Sequence, residues 1–219
     1  MNSPFPWKAL PGKAPFVLPQ DRPYIEAFNA ERNRNEANRV RTDLIPEPFF
    51  GRRDAPVVML LLNPGASPRT DAFHGDPAFR RRLLADMRGM KVRKHFHLTD
   101  PEHGPGRRWW ERTCASLIRC VSQDVVANNL LAVEFFAYPS RSFNHGHLRL
   151  PSQAFTFELV RRAIDRGAEI ICLRGERLWY GAVPELRTYR RYCVSHNPRC
   201  SAVSETNTPR FSEILRRLR

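Results

Sequence analysis

The sequence predicts an α/β protein, with helices on both faces of a central parallel sheet of four strands in a three-layer α/β/α arrangement. Apolar runs of strand length alternate along the chain with segments of helical character, an order typical of parallel sheets. The runs are continuous, as expected of strands buried on both faces. Turn-forming residues follow these runs. The predicted strands are residues 56–62, 129–137, 169–173 and 192–194.

Segments between and around the strands predict the helices, from their periodicity and from capping residues. Ser152 is expected to cap one helix, with Gly167 just beyond its C-terminal end. The last helix of the chain is amphipathic, with basic residues outside. The predicted helices cover residues 23–41, part of 77–93, 109–120, 152–166 and 211–218.

The N-terminal segment differs in composition from the rest of the chain. Residues 1–24 are rich in proline and contain the aromatic residues Phe5 and Trp7. This composition predicts an extended arm that packs on the domain. The length of 219 residues suits one domain with a full core. We therefore expect an arm over residues 1–24 and a single domain over residues 25–219.

The net charge of the chain indicates what kind of molecule it binds. Lys and Arg total 36 against 22 Asp and Glu, which gives a formal charge of +14. A field of this strength attracts polyanions, and nucleic acid is the leading candidate. The excess is mostly arginine, whose planar fork suits phosphate and base edges. An anionic membrane surface, or a basic surface that serves solubility alone, are the alternatives.

Apolar runs, the first residues and the cysteines bear on the cellular location of the protein. No apolar run approaches the roughly 20 residues that a membrane span requires, and the first residues do not resemble a secretory signal. The five cysteines have irregular spacing, which favours reduced thiols over a disulfide framework. We expect a monomer in the cytoplasm, without membrane association.

Turn-forming segments lie at the carboxyl ends of all four predicted strands. In parallel sheets the active site lies beyond the carboxyl ends of the strands, so these segments are the candidate site. They are residues 63–68 (NPGASP), 135–140 (FFAYPS), 173–176 (LRGE) and 195–199 (SHNPR).

Two of these segments resemble motifs of the uracil-DNA glycosylase superfamily. Residues 61–65 (LLNPG) resemble the G-x-N-P-G motif of its mismatch-specific and single-strand-selective branches, with Leu61 in place of the usual glycine. Residues 195–199 resemble the H-P-S-P segment that closes the active site in many branches, although the full pattern is absent. The resemblance covers residues 54–207. It implies a uracil-DNA-glycosylase-like fold and a monofunctional DNA glycosylase that flips a pyrimidine-type base out of DNA.

The resemblance implies two catalytic residues. Asn63 would position the water that attacks the sugar, because a neutral amide orients water without adding a second charge. His196 would donate a hydrogen bond to the departing base as negative charge develops on it. Asn63 as a simple turn residue, and His196 as an ordinary loop histidine, are the alternatives.

Other residues are expected to contact the flipped base. Phe73 or Phe79 would stack on its ring. Glu134, near the end of the second predicted strand, would accept a hydrogen bond from an exocyclic amino group. Tyr138 or Ser140 are the alternatives at that position. Core packing is the alternative for the phenylalanines, and an ordinary ion pair is the alternative for Glu134.

Pro64 and Gly65 bear on the choice of base. In the strict uracil branch an aromatic residue in this motif blocks a substituent on pyrimidine C5. Glycine leaves that side open, so we expect tolerance of a 5-substituted pyrimidine. A modified cytosine of phage DNA, and with it a role in antiviral defence, is the corresponding hypothesis.

The remaining site residues are expected to contact DNA. Ser67 and Arg69 follow the Asn-Pro-Gly motif, and Arg174 follows the third predicted strand. Arg199 lies on the closing segment, where it would fill the gap left by the flipped base or contact a phosphate.

No cofactor or metal is expected. No lysine lies in the four strand-end segments, so a Schiff base is not expected and the product would be an abasic site. The pairs His95/His97 and His145/His147 lack partners at zinc spacing. A non-catalytic DNA-binding module on the same fold is the main alternative function. A metal-dependent nuclease using the histidines of residues 95–103 is a further one.

Overall fold

The computed structural model describes residues 5–33, 35–89, 94–102 and 104–219. Within these ranges the strands are β1 (Phe49–Phe50), β2 (Val57–Leu61), β3 (Leu130–Glu134), β4 (Glu169–Cys172) and β5 (Tyr192–Val194). The helices are α1 (Arg22–Ala30), α2 (Pro68–Gly75), α3 (Pro77–Arg88), α4 (Phe96–Thr99), α5 (Pro105–Thr113), α6 (Ala115–Val121), α7 (Gln123–Asn129), α8 (Gln153–Asp165), α9 (Glu176–Ala182) and α10 (Phe211–Leu218). Short 3₁₀ helices cover Pro6–Ala9, Glu36–Asn38 and Pro184–Arg187. None of the helices in the described ranges is long and apolar enough to cross a membrane.

The chain divides into two compact units, each assembled from separate stretches of sequence. The first unit contains Met1–Pro48, Leu62–Lys91 and Glu134–Glu158. The second unit contains the remaining stretches, and the boundary between units falls inside α8. Asn63 belongs to the first unit and His196 to the second.

The sheet belongs to the second unit except for Glu134, the last residue of β3. Its strand order is β1-β3-β2-β4-β5. β2 pairs in parallel with β4, and β4 pairs in parallel with β5, whereas β1 is antiparallel to β3. All five residues of the central strand β2 are buried, which accounts for its uninterrupted apolar run. The predicted α/β class with a mostly parallel sheet is confirmed.

The sheet has five strands within the described residues, so the prediction of four was wrong. The additional strand, β1, contains only Phe49 and Phe50 and lies just after Pro46 and Pro48, a segment that predicts a break. Gly51 ends β1 with a φ of +98°, and a side chain there would collide with the Leu130 carbonyl. Only glycine accommodates both the backbone angle and the close approach.

The predicted helix over residues 23–41 is shorter than expected. α1 ends at Ala30, and the Asn29 side chain then holds the chain as it turns back. Its Oδ1 accepts from the Val40 backbone N–H at 2.9 Å, and its Nδ2 donates to the Val40 carbonyl at 2.8 Å. This pair of hydrogen bonds fixes the chain beyond the end of α1.

Three other predicted elements also differ in length. The helix predicted over residues 109–120 is two helices, α5 and α6, because the backbone leaves helical geometry at Cys114. The strand predicted over residues 129–137 ends at Glu134. In the segment 77–93, α3 covers the first twelve residues, and residues 90–93 lie outside the described ranges.

Two helices match their sequence patterns closely. α3 buries Phe79, Leu83 and Met87, which recur every four residues and form one apolar stripe. α10 has the bounds expected for the terminal helix and packs against β2 and β4 within the second unit. Its apolar stripe covers the sheet and its basic residues lie outside that stripe, as the amphipathic pattern predicts.

The N-terminal segment is packed within the first unit. Trp7 is fully buried, and its ring centroid lies 6.0 Å from that of Tyr138. The Phe5 ring meets the Phe155 ring edge to face at 5.3 Å. Farther along, the Leu18 backbone N–H donates to the Tyr138 hydroxyl at 3.2 Å. Arg88 Nε also donates to the Leu10 carbonyl at 2.9 Å. Aromatic contacts and long-range hydrogen bonds therefore hold this proline-rich segment in place.

Candidate functional site

Asn63 is the first residue of the Asn-Pro-Gly loop, and its side-chain amide is held in one orientation. The residue is half-buried. Its Nδ2 donates to the Pro64 carbonyl at 3.0 Å and to the Ser140 Oγ at 2.9 Å. The carbonyl of Pro64 can only accept, so the amide nitrogen must face it. Both protons of the amide are thereby used, and no described residue donates to Asn63 Oδ1.

The Asn-Pro-Gly loop is paired with the segment that follows β3. Gly65 and Ser140 form an isolated parallel bridge. The Ala66 N–H donates to the Ser140 carbonyl at 3.0 Å, and the Ser140 N–H donates to the Pro64 carbonyl at 3.3 Å. Ser140 is buried, and it meets the loop through its N–H, its carbonyl and its side chain. The sequence suggested Ser140 only as an alternative to Glu134.

Gly65 borders open space beside Asn63. It is exposed, and a Cβ added to it would have no heavy atom within 4 Å. This glycine is therefore required neither by crowding nor by a positive φ. The structure leaves this side of the loop open.

Ser67 and Arg69 lie at the start of α2. The Ser67 Oγ accepts from the Thr70 N–H at 3.2 Å, which is the hydrogen bond of a helix N-cap. The Ser67 hydroxyl is therefore occupied in a structural contact. Arg69 is exposed, and it makes no ion pair with any described residue. Of these two predicted DNA contacts, Arg69 has the side chain that is available.

The two candidate stacking residues differ in exposure. Phe79 is buried on the apolar stripe of α3, whereas Phe73 is half-buried. Their rings touch edge to face with centroids 5.6 Å apart. Phe79 therefore has a packing role in the structure, and its contact with a base stays a prediction. Phe73 is the member of the pair with a partly accessible ring.

Glu134 and Tyr138, the other predicted contacts with the base, are both buried. The Tyr138 hydroxyl donates to Asp21 Oδ2 at 2.7 Å and accepts from the Leu18 N–H. Its side chain is fully buried and serves as an anchor in the structure, while its contact with a base stays a prediction. Glu134 ends β3, and its backbone N–H donates to the Pro48 carbonyl at 3.0 Å.

The carboxylate of Asp21 is buried within this anchor. Its Oδ1 accepts from the Ser152 backbone N–H at 3.0 Å. Burial raises the pKa of Asp21 above its ordinary value, although the hydrogen bonds from Ser152 and Tyr138 oppose that shift. Burial also raises the pKa of the Tyr138 hydroxyl, and the neighbouring Asp21 raises it further. The hydroxyl is therefore a neutral donor, fixed between a carboxylate and a backbone N–H.

Arg41, which the sequence analysis did not identify, connects the segments around the Asn-Pro-Gly loop. Arg41 Nη2 lies 2.6 Å from Asp43 Oδ2 and 3.1 Å from Asp71 Oδ1 in α2. Its backbone N–H donates to the Pro139 carbonyl at 2.8 Å. The hydrogen bond from Arg41 lowers the pKa of Asp43. Arg41 thus links α2 to the segment that carries Ser140.

His196 lies in a loop of the second unit, immediately beyond β5. It is exposed, and its backbone N–H donates to the Asn207 carbonyl at 3.0 Å. Asn207 organises this loop, because its Oδ1 accepts from the Asn197 N–H and its Nδ2 donates to the carbonyls of Cys200 and Ala202. No local pattern distinguishes Asn207 from other loop asparagines, so the sequence did not identify it.

Arg174 and Arg199 are also in the second unit. Both are exposed, and neither side chain forms an ion pair with a described residue. The Arg199 backbone N–H donates to Asn197 Oδ1 at 3.0 Å, which orders the turn after His196. Their guanidinium groups are available to an anionic partner, as is that of Arg69.

The histidines of residues 95–103 do not present a metal site in the described residues. His95 is fully buried between the rings of Phe50 and Trp110, at centroid distances of 5.6 and 4.3 Å. Burial holds the pKa of His95 well below its usual value. His97 is buried beside Phe50 at 4.4 Å, and His103 lies outside the described ranges. Among the described residues, no group of three His, Cys, Asp or Glu side chains is placed to hold a metal ion.

No family model, curated protein or solved structure matches this chain. Its chemistry is therefore inferred from its residues. In the first unit, the structure brings together the oriented Asn63 amide, the open side of Gly65 and the exposed Arg69. In the second unit, it places His196 on an ordered and exposed loop.

Proposed function

We propose that this protein is a monofunctional DNA glycosylase that hydrolyses the N-glycosidic bond of a flipped pyrimidine. The observation that carries the proposal is the Asn63 amide. Its Nδ2 is bound to Pro64 and Ser140, while Oδ1 accepts no hydrogen bond from a described residue. A fixed amide oxygen of this kind is suited to hold a water molecule by one of its protons.

The proposed reaction needs little from a base. The bond between the sugar C1′ and the base nitrogen breaks and the base leaves as an anion, so the sugar acquires oxocarbenium character. Water then forms the new C1′–O bond and releases a proton to solvent. Asn63 orients that water without adding a charge. A preorganised hydrogen-bond donor at the departing base would favour the developing anion, and His196 is the residue that the sequence predicts for this role.

Gly65 supports a pyrimidine with a substituent at C5. Its open side would admit such a group, and the half-buried Phe73 offers a ring for stacking. Glu134 is assigned to the exocyclic amino group of a cytosine-like base. A modified cytosine of phage DNA is therefore the substrate class we favour, with antiviral defence as the corresponding role.

Arginines without ion-pair partners support DNA as the substrate. Arg69, Arg174 and Arg199 are all exposed and unpaired among the described residues, and the chain carries a net charge of +14. Each guanidinium that neutralises a phosphate releases a counterion and makes binding depend on salt. Replacing one of them by alanine should reduce the slope of log Kd against log salt by about 1.

A base-release assay without metal tests the proposal. The protein is incubated with DNA that carries uracil, 5-hydroxymethylcytosine or glucosylated 5-hydroxymethylcytosine, and abasic sites are revealed by alkali. We expect release of a 5-substituted base and a loss of about 100-fold or more in Asn63→Ala. Asn144→Ala is the matched control, because Asn144 is exposed and has no side-chain hydrogen bond to a described residue. Release of uracil alone would contradict the choice of substrate.

A non-catalytic DNA-binding module is the second candidate, and the unpaired arginines support it equally. The same variant separates the two functions. If the protein is an enzyme, Asn63→Ala loses base release and keeps its DNA affinity. If the protein only binds DNA, the unmodified protein releases no base from any of these substrates. Strand breaks that need a divalent metal and survive Asn63→Ala would favour a nuclease.

A further inference from the structure

We infer that Ser140 is a positioning residue, which sets the orientation of the Asn63 amide and thereby decides which residue types can act at position 63. The inference rests on the proposed function, because it concerns how the water-holding group is prepared. Ser140 is 2% exposed, so its side chain acts through protein contacts. Its sequence separation of 77 residues from Asn63 makes the contact invisible to local motifs.

The hydrogen bonds at Ser140 run in one direction. Its hydroxyl donates to the Ser142 carbonyl at 3.0 Å. A serine hydroxyl has one proton, so after this bond its oxygen can only accept. It accepts from Asn63 Nδ2 at 2.9 Å. The Asn63 amide therefore donates to the Ser140 hydroxyl, which in turn donates to the Ser142 carbonyl.

The backbone holds Ser140 in this position. Its N–H donates to the Pro64 carbonyl and its carbonyl accepts from the Ala66 N–H. The receiving residue is fixed as well, because the Ser142 N–H donates to the Ala37 carbonyl at 2.8 Å. The hydroxyl cannot follow a rotation of the Asn63 side chain without breaking its own bond to the Ser142 carbonyl, so it restrains the amide.

Two acceptors, Pro64 O and Ser140 Oγ, therefore face the same end of the side chain at position 63. They require a donor there, and the amide nitrogen supplies one proton to each. The amide oxygen is consequently turned toward the opposite side, where it is available to water. An ionised aspartate has only acceptors, so it would meet two acceptors and lose both bonds. This geometry selects asparagine over a carboxylate.

The variant Ser140→Ala tests the role directly. Without the hydroxyl one amide proton loses its partner, and we expect kcat for base release to fall about ten-fold with KM unchanged. The exchange of the Asn63 Nδ2 protons with solvent, followed by NMR, should become faster. Ser142→Ala is the matched control, since Ser142 contributes its backbone to the network and its exposed side chain makes no hydrogen bond to a described residue.

The variant Asn63→Asp gives a pH profile that a purely structural role would not produce. The protonated carboxyl can donate to Pro64 O or Ser140 Oγ and still present an acceptor to water. The neutral form is stabilised by this bond, which raises the pKa of the new carboxyl. The ratio of variant to wild-type rate should therefore be highest at low pH and fall as the pH rises. A general base would give the opposite slope.

Each result has a distinct meaning. Full kcat in Ser140→Ala, or a rate ratio for Asn63→Asp that rises with pH, would overturn the inference while base release by the wild type still supports the proposed function. Slow proton exchange at Asn63 that persists in Ser140→Ala would also overturn it. Absence of base release by the wild-type protein on every substrate would overturn the proposed function, and this inference with it.

Discussion

The variant Tyr138→Phe removes one hydroxyl from the buried anchor of the first unit, and it separates two roles for this residue. In the structure that hydroxyl donates to Asp21 Oδ2 at 2.7 Å and accepts from the Leu18 N–H at 3.2 Å. Phenylalanine keeps the ring and its packing against Trp7. The variant therefore tests the two hydrogen bonds with little change in volume.

The expected loss of stability depends on the groups that are left without a partner when the Tyr138 hydroxyl is removed. A hydrogen bond to a charged group contributes about 1.5–3 kcal/mol, and a buried donor left without a partner costs about 1–3 kcal/mol. Asp21 keeps its bond to Ser152. The lost bond to Asp21 and the unpaired Leu18 N–H are not fully additive costs, so we expect the free energy of unfolding to fall by about 3 kcal/mol. For a chain of this length the melting temperature should fall by roughly 6–12 °C.

Urea denaturation followed by circular dichroism measures this loss, with base release measured on the same samples. Tyr24→Phe is the matched control, because Tyr24 is 48% exposed and its hydroxyl makes no hydrogen bond to a described residue. We expect the control to unfold like the wild type. An unchanged unfolding midpoint in Tyr138→Phe, together with a higher KM, would refute the anchoring role and support substrate contact.

The pH dependence of the same variant has a defined sign. Burial raises the pKa of Asp21 in the folded protein, so its contribution favours folding at low pH and is lost as the pH rises through the folded pKa. Removing the Tyr138 donor raises that pKa further. The destabilisation should therefore be larger at about pH 7 than at about pH 4. Equal losses at the two pH values would contradict this account.

Three further variants test other parts of the structure. Arg210→Ala leaves the buried Glu169 carboxylate without its partner at 2.9 Å, and should cost about 3 kcal/mol by urea denaturation. The exposed control Arg177→Ala should lose less than about 1 kcal/mol. An equally small loss in Arg210→Ala would contradict the predicted role of its ion pair. His95→Leu should reduce the fall in stability below about pH 6.5, because burial depresses the His95 pKa and folding then excludes a proton; an unchanged pH slope would contradict this. Gly65→Tyr should leave the unfolding midpoint near that of wild type and reduce release of 5-substituted bases more than release of uracil. Equal reductions would argue against the open-side role of Gly65.

Much of the sheet was predictable because its information is local. The continuous apolar runs identified β2, β4 and β5 to within a residue of their ends, since burial on both faces requires such runs. β1 was missed because two residues between prolines and a glycine have no periodicity of their own. It forms only where β3 supplies an antiparallel partner.

The candidate site was predictable in part. The sequence singled out Asn63 and Gly65 through the Asn-Pro-Gly motif, and the structure describes their geometry. It did not identify Arg41 or Asn207, because their partners are distant in sequence or belong to loops without a pattern. It also proposed Phe79 and Tyr138 as base contacts, because exposure cannot be judged from an aromatic residue type alone.

The sequence by itself determined the apolar strands, the capped and amphipathic helices and the basic charge, since each depends on neighbouring residues or on composition. Only the tertiary structure decided how the Asn63 amide is turned. That orientation depends on whether the atoms brought to it from residues 64 and 140 are donors or acceptors. Such a choice arises when two loops pair across the fold, and no local pattern of residues encodes it.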